Sequence, residues 1–214
     1  MATLIQQIIN GLSLGSVYAL IAVGYSLVYS ILLFSNFAHG GFLVIGGYIC
    51  YASLRALDLG IWIAGFLSLF GAGVAAILTE RLAYRPIRER TNVTLYLLIA
   101  SMGMSIVIEN IFVIVAGGRF RALPAVIPTS PVSFFGLATT SAFDLLSLAS
   151  AVVFLWGLQL FLSRTRWGLA IRAAAYDLRV AGLMGVNVNR LISIVFFVAG
   201  ALAAVGGIFL SVRY

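Results

Sequence analysis

The residues that could perform chemistry are few and lie far apart in the sequence. The 214 residues include six acids, one histidine and one cysteine, with no GxxxxGK[ST] phosphate loop and no HExxH motif. General acid–base and nucleophilic catalysis need at least two groups within hydrogen-bonding reach. His39 has no second ligand type near it in sequence, and Cys50 lies alone in an apolar run. The sequence therefore predicts no catalytic site, no metal site and no cofactor.

Polar residues inside long apolar runs are the stronger signal. Residues 1–54 contain no Asp, Glu, Lys or Arg, yet Asn36, His39 and Gly40 interrupt this run, and Glu109 and Asn110 lie inside another. Polar groups at membrane depth are tolerated only where they face protein or a water-filled cavity, and an ionisable residue there indicates function. We therefore predict that these five residues belong to a translocation pathway.

Each of these assignments has a structural alternative. His39 could be a hydrogen-bonded structural histidine, because one imidazole on an apolar segment is often satisfied by a backbone carbonyl. Glu109 lies toward the predicted outer end of its segment, where it could pair with Arg119 or Arg121. The same alternative applies to Asn110, and the sequence leaves both possibilities open.

The composition places these residues in a membrane protein. Hydrophobic residues make up 63% of the chain and charged residues only 9%, against roughly 25% charged in an average soluble domain. The mean hydropathy of +1.14 is the opposite of what a disordered chain shows. The net charge is +7, and every basic residue is an arginine. In a membrane protein the side of the bilayer on which these arginines lie is more informative than their number. The predicted partner is therefore lipid and not nucleic acid.

The apolar runs predict an all-α, polytopic bundle of about six membrane segments. A helix needs about 20 mostly apolar residues to cross the hydrocarbon core. The polar cluster around residues 35–41 divides the first long run into two. The predicted segments are approximately residues 4–33, 37–54, 61–79, 93–116, 145–162 and 191–212.

The distribution of arginine predicts the orientation of the bundle. Arginines crowd residues 81–90 and again residues 164–190, two segments later. Under the positive-inside rule both stretches lie in the cytoplasm, which places the N-terminus outside. The loop at 117–144 then lies outside, and its three prolines predict an ordered extracytoplasmic cap rather than a continuous helix. In the inner loop at 163–190, residues 169–180 are expected to be helical, with Gly182 and Gly185 breaking the helix.

Small residues recur at spacings that suit close helix packing. Gly11 and Gly15 are four residues apart, and Ala199, Ala203 and Gly207 repeat the same spacing. Lipid tails supply no hydrophobic drive for helix association, so membrane helices pack through small residues that let backbones approach. The pattern predicts a tightly packed bundle.

Five strings in the chain resemble those of a known family. They are NGLSLGSVYALIAVGY at 10–25, NFAHG at 36–40, ERLAYRPIR at 80–88, SMGMSI at 101–106, and residues 172–185. Together they resemble the H-type permease subunit of bacterial branched-chain amino acid ABC importers. The resemblance covers essentially the whole chain.

The resemblance implies a single transmembrane permease domain over residues 1–214, located in the bacterial inner membrane. Such a subunit pairs with a second homologous permease subunit, sits on two cytoplasmic ATPase subunits and receives substrate from a periplasmic binding protein. The family performs no chemistry of its own. The stretch 172–185 is similar to the family's ATPase-coupling segment, which implies coupling roles for Arg172, Ala173, Asp177, Ala181, Gly182 and Gly185.

The chain departs from the family's pattern at three points. Gly41 stands where the family usually has an acid, and Glu109 where it usually has Gln. Family members also continue for several more membrane segments, so a C-terminal truncation after Tyr214 is expected. Relatives that carry urea or short amides, and an ion-coupled carrier from outside the family, are the alternative functions.

Overall fold

The apolar segments of the sequence form helices in the computed structural model, which is described for residues 2–91, 93–117, 131–134 and 138–213. Helices are expected here because a chain in lipid must satisfy its backbone polar groups within each segment. The elements are α1 (Ala2–Leu32), α2 (His39–Arg55), α3 (Ile61–Thr79), a π-helical turn (Glu80–Tyr84), α4 (Arg85–Arg90), α5 (Thr94–Ala116), β1 (Pro131–Phe134), β2 (Ala138–Ser141), α6 (Ala142–Arg164), α7 (Arg166–Tyr176), α8 (Leu178–Leu183) and α9 (Val188–Arg213).

All six predicted membrane segments are helical. The helix α2 has only 17 residues, about 25 Å of helix, because the irregular residues 33–38 delay its start. An antiparallel hairpin of β1 and β2 adds a small sheet to the predicted all-helical fold, in the part of the predicted outer loop that is described. Five helical stretches within the described ranges are long and apolar enough to cross a membrane: Gln6–Leu32, Ile61–Arg90, Thr94–Ala116, Ala142–Arg164 and Val188–Arg213.

The helix α3 begins and ends at the predicted residues, but the chain does not leave it for a loop. It continues through the π-helical turn into α4, so the arginine-rich stretch is helical. Pro86 lies at the start of α4, directly after the π-helical turn. The arginines of residues 81–90 therefore lie on a helical extension of α3 at one end of the bundle. We call this end, which also carries residues 164–190, the basic end.

The helix α9 is the centre of the bundle. It is the most buried of the candidate spans and packs against α1, α2 and α3. Small residues make these contacts, as the spacing of Ala199, Ala203 and Gly207 predicts. A Cβ atom added to Gly46 of α2 would come 2.5 Å from the Cα of Ala204, and one added to Gly200 would come 2.7 Å from the carbonyl oxygen of Ala72. By contrast, added Cβ atoms on Gly11 and Gly15 would meet no atom within 4 Å.

The contact at Gly46 makes a direct prediction about stability. A Gly46→Ala variant is expected to lose about 1–3 kcal/mol, because the new methyl group meets the backbone of α9 and not a flexible side chain. The matched control is Gly65→Ala in α3, where a Cβ meets nothing within 4 Å and the change should be neutral or slightly stabilising. Thermal unfolding of the purified protein in detergent compares the two variants, and equal melting temperatures would contradict the packing described here.

A cluster of polar side chains ties α1, α6 and α9 together at the end opposite the basic end. Asp144 Oδ1 accepts a hydrogen bond from Ser13 Oγ (2.7 Å) and lies 3.3 Å from Arg213 Nη1, while Asp144 Oδ2 accepts from Ser141 Oγ (2.7 Å). Ser147 Oγ lies 3.1 Å from Ser13 Oγ. Three helices distant in sequence are thus joined through one carboxylate.

Candidate functional site

The junction between α1 and α2 holds the first group of predicted pathway residues. Leu33 has a φ of +54°, which ends α1 and turns the chain back into the bundle. Asn36 is only 2% exposed, and its Oδ1 accepts a hydrogen bond of 2.8 Å from the Tyr84 hydroxyl in the π-helical turn. Ser101 Oγ of α5 accepts from Phe37 N (3.2 Å). The junction is therefore held by two neighbouring elements.

His39 is buried beside this junction and contacts α1. Its Nε2 lies 3.2 Å from the carbonyl oxygen of Ile21, and its ring meets those of Tyr25 and Phe42 edge to face. This is the geometry of a hydrogen-bonded structural histidine, the alternative left open by the sequence. Its Nδ1 and the Nδ2 of Asn36 have no partner among the described residues. A role for either residue in a pathway stays a prediction.

The removal of the Tyr84 hydroxyl tests how far this junction depends on one hydrogen bond. A Tyr84→Phe variant keeps the ring packed but leaves Asn36 Oδ1 buried without its donor, which costs about 1–3 kcal/mol. The expected result is a lower melting temperature in detergent. Tyr29→Phe, at a half-exposed tyrosine of α1, is the control, and the interpretation is wrong if the two variants lose equal stability.

The second group of predicted residues lies on a different surface. Glu109 and Asn110 are exposed on α5, where Glu109 Oε1 accepts from Ser105 Oγ (3.0 Å) and Asn110 Nδ2 donates to the carbonyl oxygen of Ile106 (2.8 Å). Glu109 lies roughly 12 Å along the helix from the Ser101 contact. The structure therefore does not bring the two groups together as one site. Arg119 and Arg121, the alternative partners of Glu109, lie outside the described residues.

The glycines beside His39 differ in their surroundings. Gly40 is exposed, and a Cβ placed on it would meet no atom within 4 Å. A Cβ on Gly41 would come 2.8 Å from Cγ2 of Ile108, so the glycine lets α2 and α5 pack closely. Because Ile108 precedes Glu109, two of the three departures from the family's pattern lie at one helix contact.

The sequence interpretation missed the most deeply buried acid. Glu80 is fully buried at the basic end, where its Oε2 accepts a hydrogen bond from Ser193 Oγ (2.9 Å) and its Oε1 lies 3.3 Å from Arg88 Nη2. Its position directly after the third apolar segment gives no sign of burial. One feature of the sequence does indicate a buried polar partner at this end. Asn189 and Ser193 are four residues apart, so they place two polar side chains on one face of α9 at the same end of the bundle as Glu80.

Glu80 belongs to a chain of polar contacts that joins α3 and α4 to α9. Arg88 Nη2 donates to Asn189 Oδ1 (2.6 Å), and Asn189 Nδ2 donates to Glu89 Oε1 (3.0 Å). Arg85 Nε pairs with the same oxygen of Glu89 at 2.9 Å. We call the residues Glu80, Arg85, Arg88, Glu89, Asn189 and Ser193 the Glu80 network.

The predicted coupling segment is helical, but its break differs from the prediction. The expected helix at 169–180 is interrupted at Asp177, whose extended backbone ends α7 and whose Oδ1 caps α8 by accepting from the amides of Arg179 and Val180 (2.8 and 2.9 Å). An aspartate at such a cap satisfies amides that would otherwise be free. Gly182 lies within α8 and breaks nothing, while Gly185 has a φ of +88° and ends the turn after α8.

The coupling segment exposes large apolar side chains outside the membrane helices. Tyr176, Leu183 and Met184 are 96%, 82% and 80% exposed at the ends of α7 and α8. Ala174 and Ala181 are buried and fix the two short helices against the bundle. Arg172, Ala173 and Asp177 lie on the exposed side. Large apolar side chains exposed in this way, outside the membrane helices, indicate a candidate interaction surface.

Comparisons with known proteins identify the family to which the chain belongs. A family described as "Branched-chain amino acid transport system / permease component" matches residues 7–214. The chain is 36% identical to the high-affinity branched-chain amino acid transport system permease protein BraD of Pseudomonas aeruginosa, over 98% of this chain and 71% of that protein. It is 38% identical to LivH of Salmonella typhimurium, again over 98% and 71%. The chain belongs to this permease family.

Membership of the family confirms three predictions for this permease. It is a multi-pass membrane protein, and it is a transport component rather than an enzyme. The similarity extends over almost its entire length. No solved structure matches the permease. No cluster of three or more metal-ligating residues occurs in the described part of the chain.

Proposed function

We propose that this permease is the membrane subunit of an ATP-driven importer of branched-chain amino acids in the bacterial inner membrane. It assembles with a second homologous permease subunit and two cytoplasmic ATPase subunits, and it takes substrate from a periplasmic binding protein. The substrate class is the one that the names of its relatives give. The proposal of this assembly is supported by one structural observation, made on the coupling segment.

That observation is the apolar surface of α7 and α8. Tyr176, Leu183 and Met184 project at the basic end, in a stretch too short and too rich in arginine to enter the bilayer. Exposed apolar residues in water are stabilised by docking against another protein. An ATPase subunit is the expected partner, and the extended backbone at Asp177 and the turn at Gly185 are the points at which the segment can change its angle.

A second surface supports the proposed pairing of two permease subunits. The helix α5 is largely exposed, and its exposed residues include Glu109 and Asn110. A carboxylate within a membrane span is disfavoured against lipid. We therefore place the second subunit against this face of α5, with Glu109 and Asn110 beside the translocation pathway and Asn36, His39 and Gly40 behind it as supports of the α1–α2 junction.

Purification of the tagged full-length subunit from native membranes tests the proposal. The expected result is a complex with one second permease and two ATPases that takes up leucine into proteoliposomes when ATP and the binding protein are supplied. Uptake of urea or short amides in place of leucine would move the assignment to the other branch of the family. Transport by the lone protein, driven by an ion gradient without ATP, would overturn the proposal.

A further inference from the structure

A cavity of about 670 Å³ lies at the basic end of the bundle, between the end of α1, the α4–α5 junction and the coupling segment. Ligand pockets of roughly 300–1,000 Å³ hold small organic molecules. Its wall combines buried residues such as Ile31 and Leu97 with exposed rim residues such as Thr94 and Asp177. The cavity is therefore partly enclosed and is large enough for an amino acid.

Two arginines line the polar part of this wall. Arg88 lines the cavity, and although its Nη2 is bonded within the Glu80 network, its Nη1 is buried without a partner among the described residues. Arg179 stands at the rim, and Asp177 already uses Oδ1 to cap α8. A buried guanidinium N–H without an acceptor is costly, and a carboxylate is the group whose geometry satisfies it best.

The rest of the wall suits an ammonium group and an aliphatic side chain. The helix α1 ends at this cavity, so its last carbonyl groups carry the partial negative charge of a helix C-terminus. Ile31, Leu97 and Val188 supply an apolar surface. An arginine N–H without an acceptor, a helix C-terminus and an apolar wall in one cavity match the carboxylate, the ammonium group and the side chain of an aliphatic amino acid.

The position of the cavity along the bundle indicates the side of the membrane on which this site acts. The cavity lies at the predicted cytoplasmic end, beside the coupling segment. The Asp144 cluster, which ties α1, α6 and α9 together, lies at the opposite end. We infer that this cavity is an exit-side binding site for the transported amino acid, with the Arg88 guanidinium binding its carboxylate. The inference rests on the proposed function and adds a site on the cytoplasmic side.

Photolabelling of the intact importer in lipid nanodiscs tests this site. The probe is a leucine analogue with a photoactivatable diazirine in its side chain, added without ATP or binding protein, and adducts are located by mass spectrometry. We expect adducts on α1 near Ile31, on α5 near Leu97 and on α9 near Val188. Leucine should suppress them, while leucinamide, which lacks the carboxylate, should compete about tenfold less well.

A matched pair of variants separates the cavity from its surroundings. Thr94→Trp places a bulky ring at the rim of the cavity, and Leu95→Trp places the same ring on the neighbouring exposed residue, which does not line it. Thr94→Trp should lower the yield of adducts severalfold, and Leu95→Trp should leave it unchanged. A wild-type adduct pattern in both variants would overturn the inference.

The uptake assay distinguishes failure of this site from failure of the proposed function. If ATP-driven leucine uptake is normal but adducts fall elsewhere, or if leucinamide competes as well as leucine, the exit site is wrong and the importer assignment stands. If the adducts fall on an ATPase subunit in place of α1, α5 and α9, the cavity is a protein-docking site and the inference fails. If the complex takes up no branched-chain amino acid, both proposals fail.

Discussion

Replacement of Glu80 by leucine is expected to destabilise the permease by about 3 kcal/mol or more. The substitution leaves Arg88 without the fully buried carboxylate that neutralises it and removes the acceptor of Ser193 Oγ. The removal of one partner from a buried ion pair is costly because the remaining charge stays desolvated. The measurement is the melting temperature of the purified protein in detergent, together with the fraction of monodisperse protein recovered from the membrane.

Two further variants give this prediction its controls. Glu89→Gln removes a carboxylate from the same network, but the Glu89 side chain is half exposed, and solvent screening leaves such an ion pair little effect on stability. The double variant Glu80→Leu with Arg88→Met removes both buried charges and should recover much of the lost stability. A Glu80→Leu protein as stable as the wild type, or a double variant less stable than either single one, would refute the network.

A charge at Leu183 is expected to abolish productive contact with the ATPase subunits. Leu183 is one of the three exposed apolar residues of the coupling segment. If it docks in a groove, a buried unpaired aspartate in Leu183→Asp costs at least about 2 kcal/mol, or roughly a thirtyfold loss of affinity. The variant should insert into the membrane normally, fail to copurify with the ATPase and show no transport-stimulated ATP hydrolysis.

The control for this variant adds the same charge nearby. Asn187→Asp introduces a carboxylate on an exposed residue that caps the start of α9, and aspartate keeps that cap because it accepts from the amide of Arg190 as asparagine does. Its copurification and ATPase activity should match the wild type. If Leu183→Asp retains full activity, or if Asn187→Asp loses it equally, the apolar surface of α7 and α8 is not the coupling contact.

The parts of the fold that depend on local pattern were predictable from the sequence. The helix α3 has the predicted bounds because a long apolar run defines a membrane segment by itself. The small residues of α9 also predicted the closest helix contacts correctly, since packing through glycine and alanine is the general solution in lipid. Glu109 and Asn110 lie on a membrane-spanning helix, as the sequence predicts. Their role in a translocation pathway stays a prediction.

The parts that depend on distant residues were not predictable. The burial of Glu80 requires Arg88 of α4 and Ser193 of α9 to meet it in the folded bundle, and no local pattern contains that information. The break at Asp177 was assigned to glycines because their backbone freedom is visible in sequence, whereas the cap formed by Asp177 depends on its extended backbone. The burial of Glu80 depends on a residue distant in sequence, and the cap at Asp177 depends on a backbone conformation that residue types alone do not specify.

The central position of α9 has a consequence for biosynthesis. Ribosomes deliver membrane helices in sequence order, so α1, α2 and α3 enter the bilayer before residues 188–213 exist. Until α9 arrives, the parts of α2 and α3 that pack against it, around Gly46 and Ala72, lack that partner. A nascent chain halted before Val188 therefore lacks the helix that joins its earlier segments, and it should be recognised by membrane quality-control proteases. The packing of the first three helices is therefore complete only after α9 has been inserted.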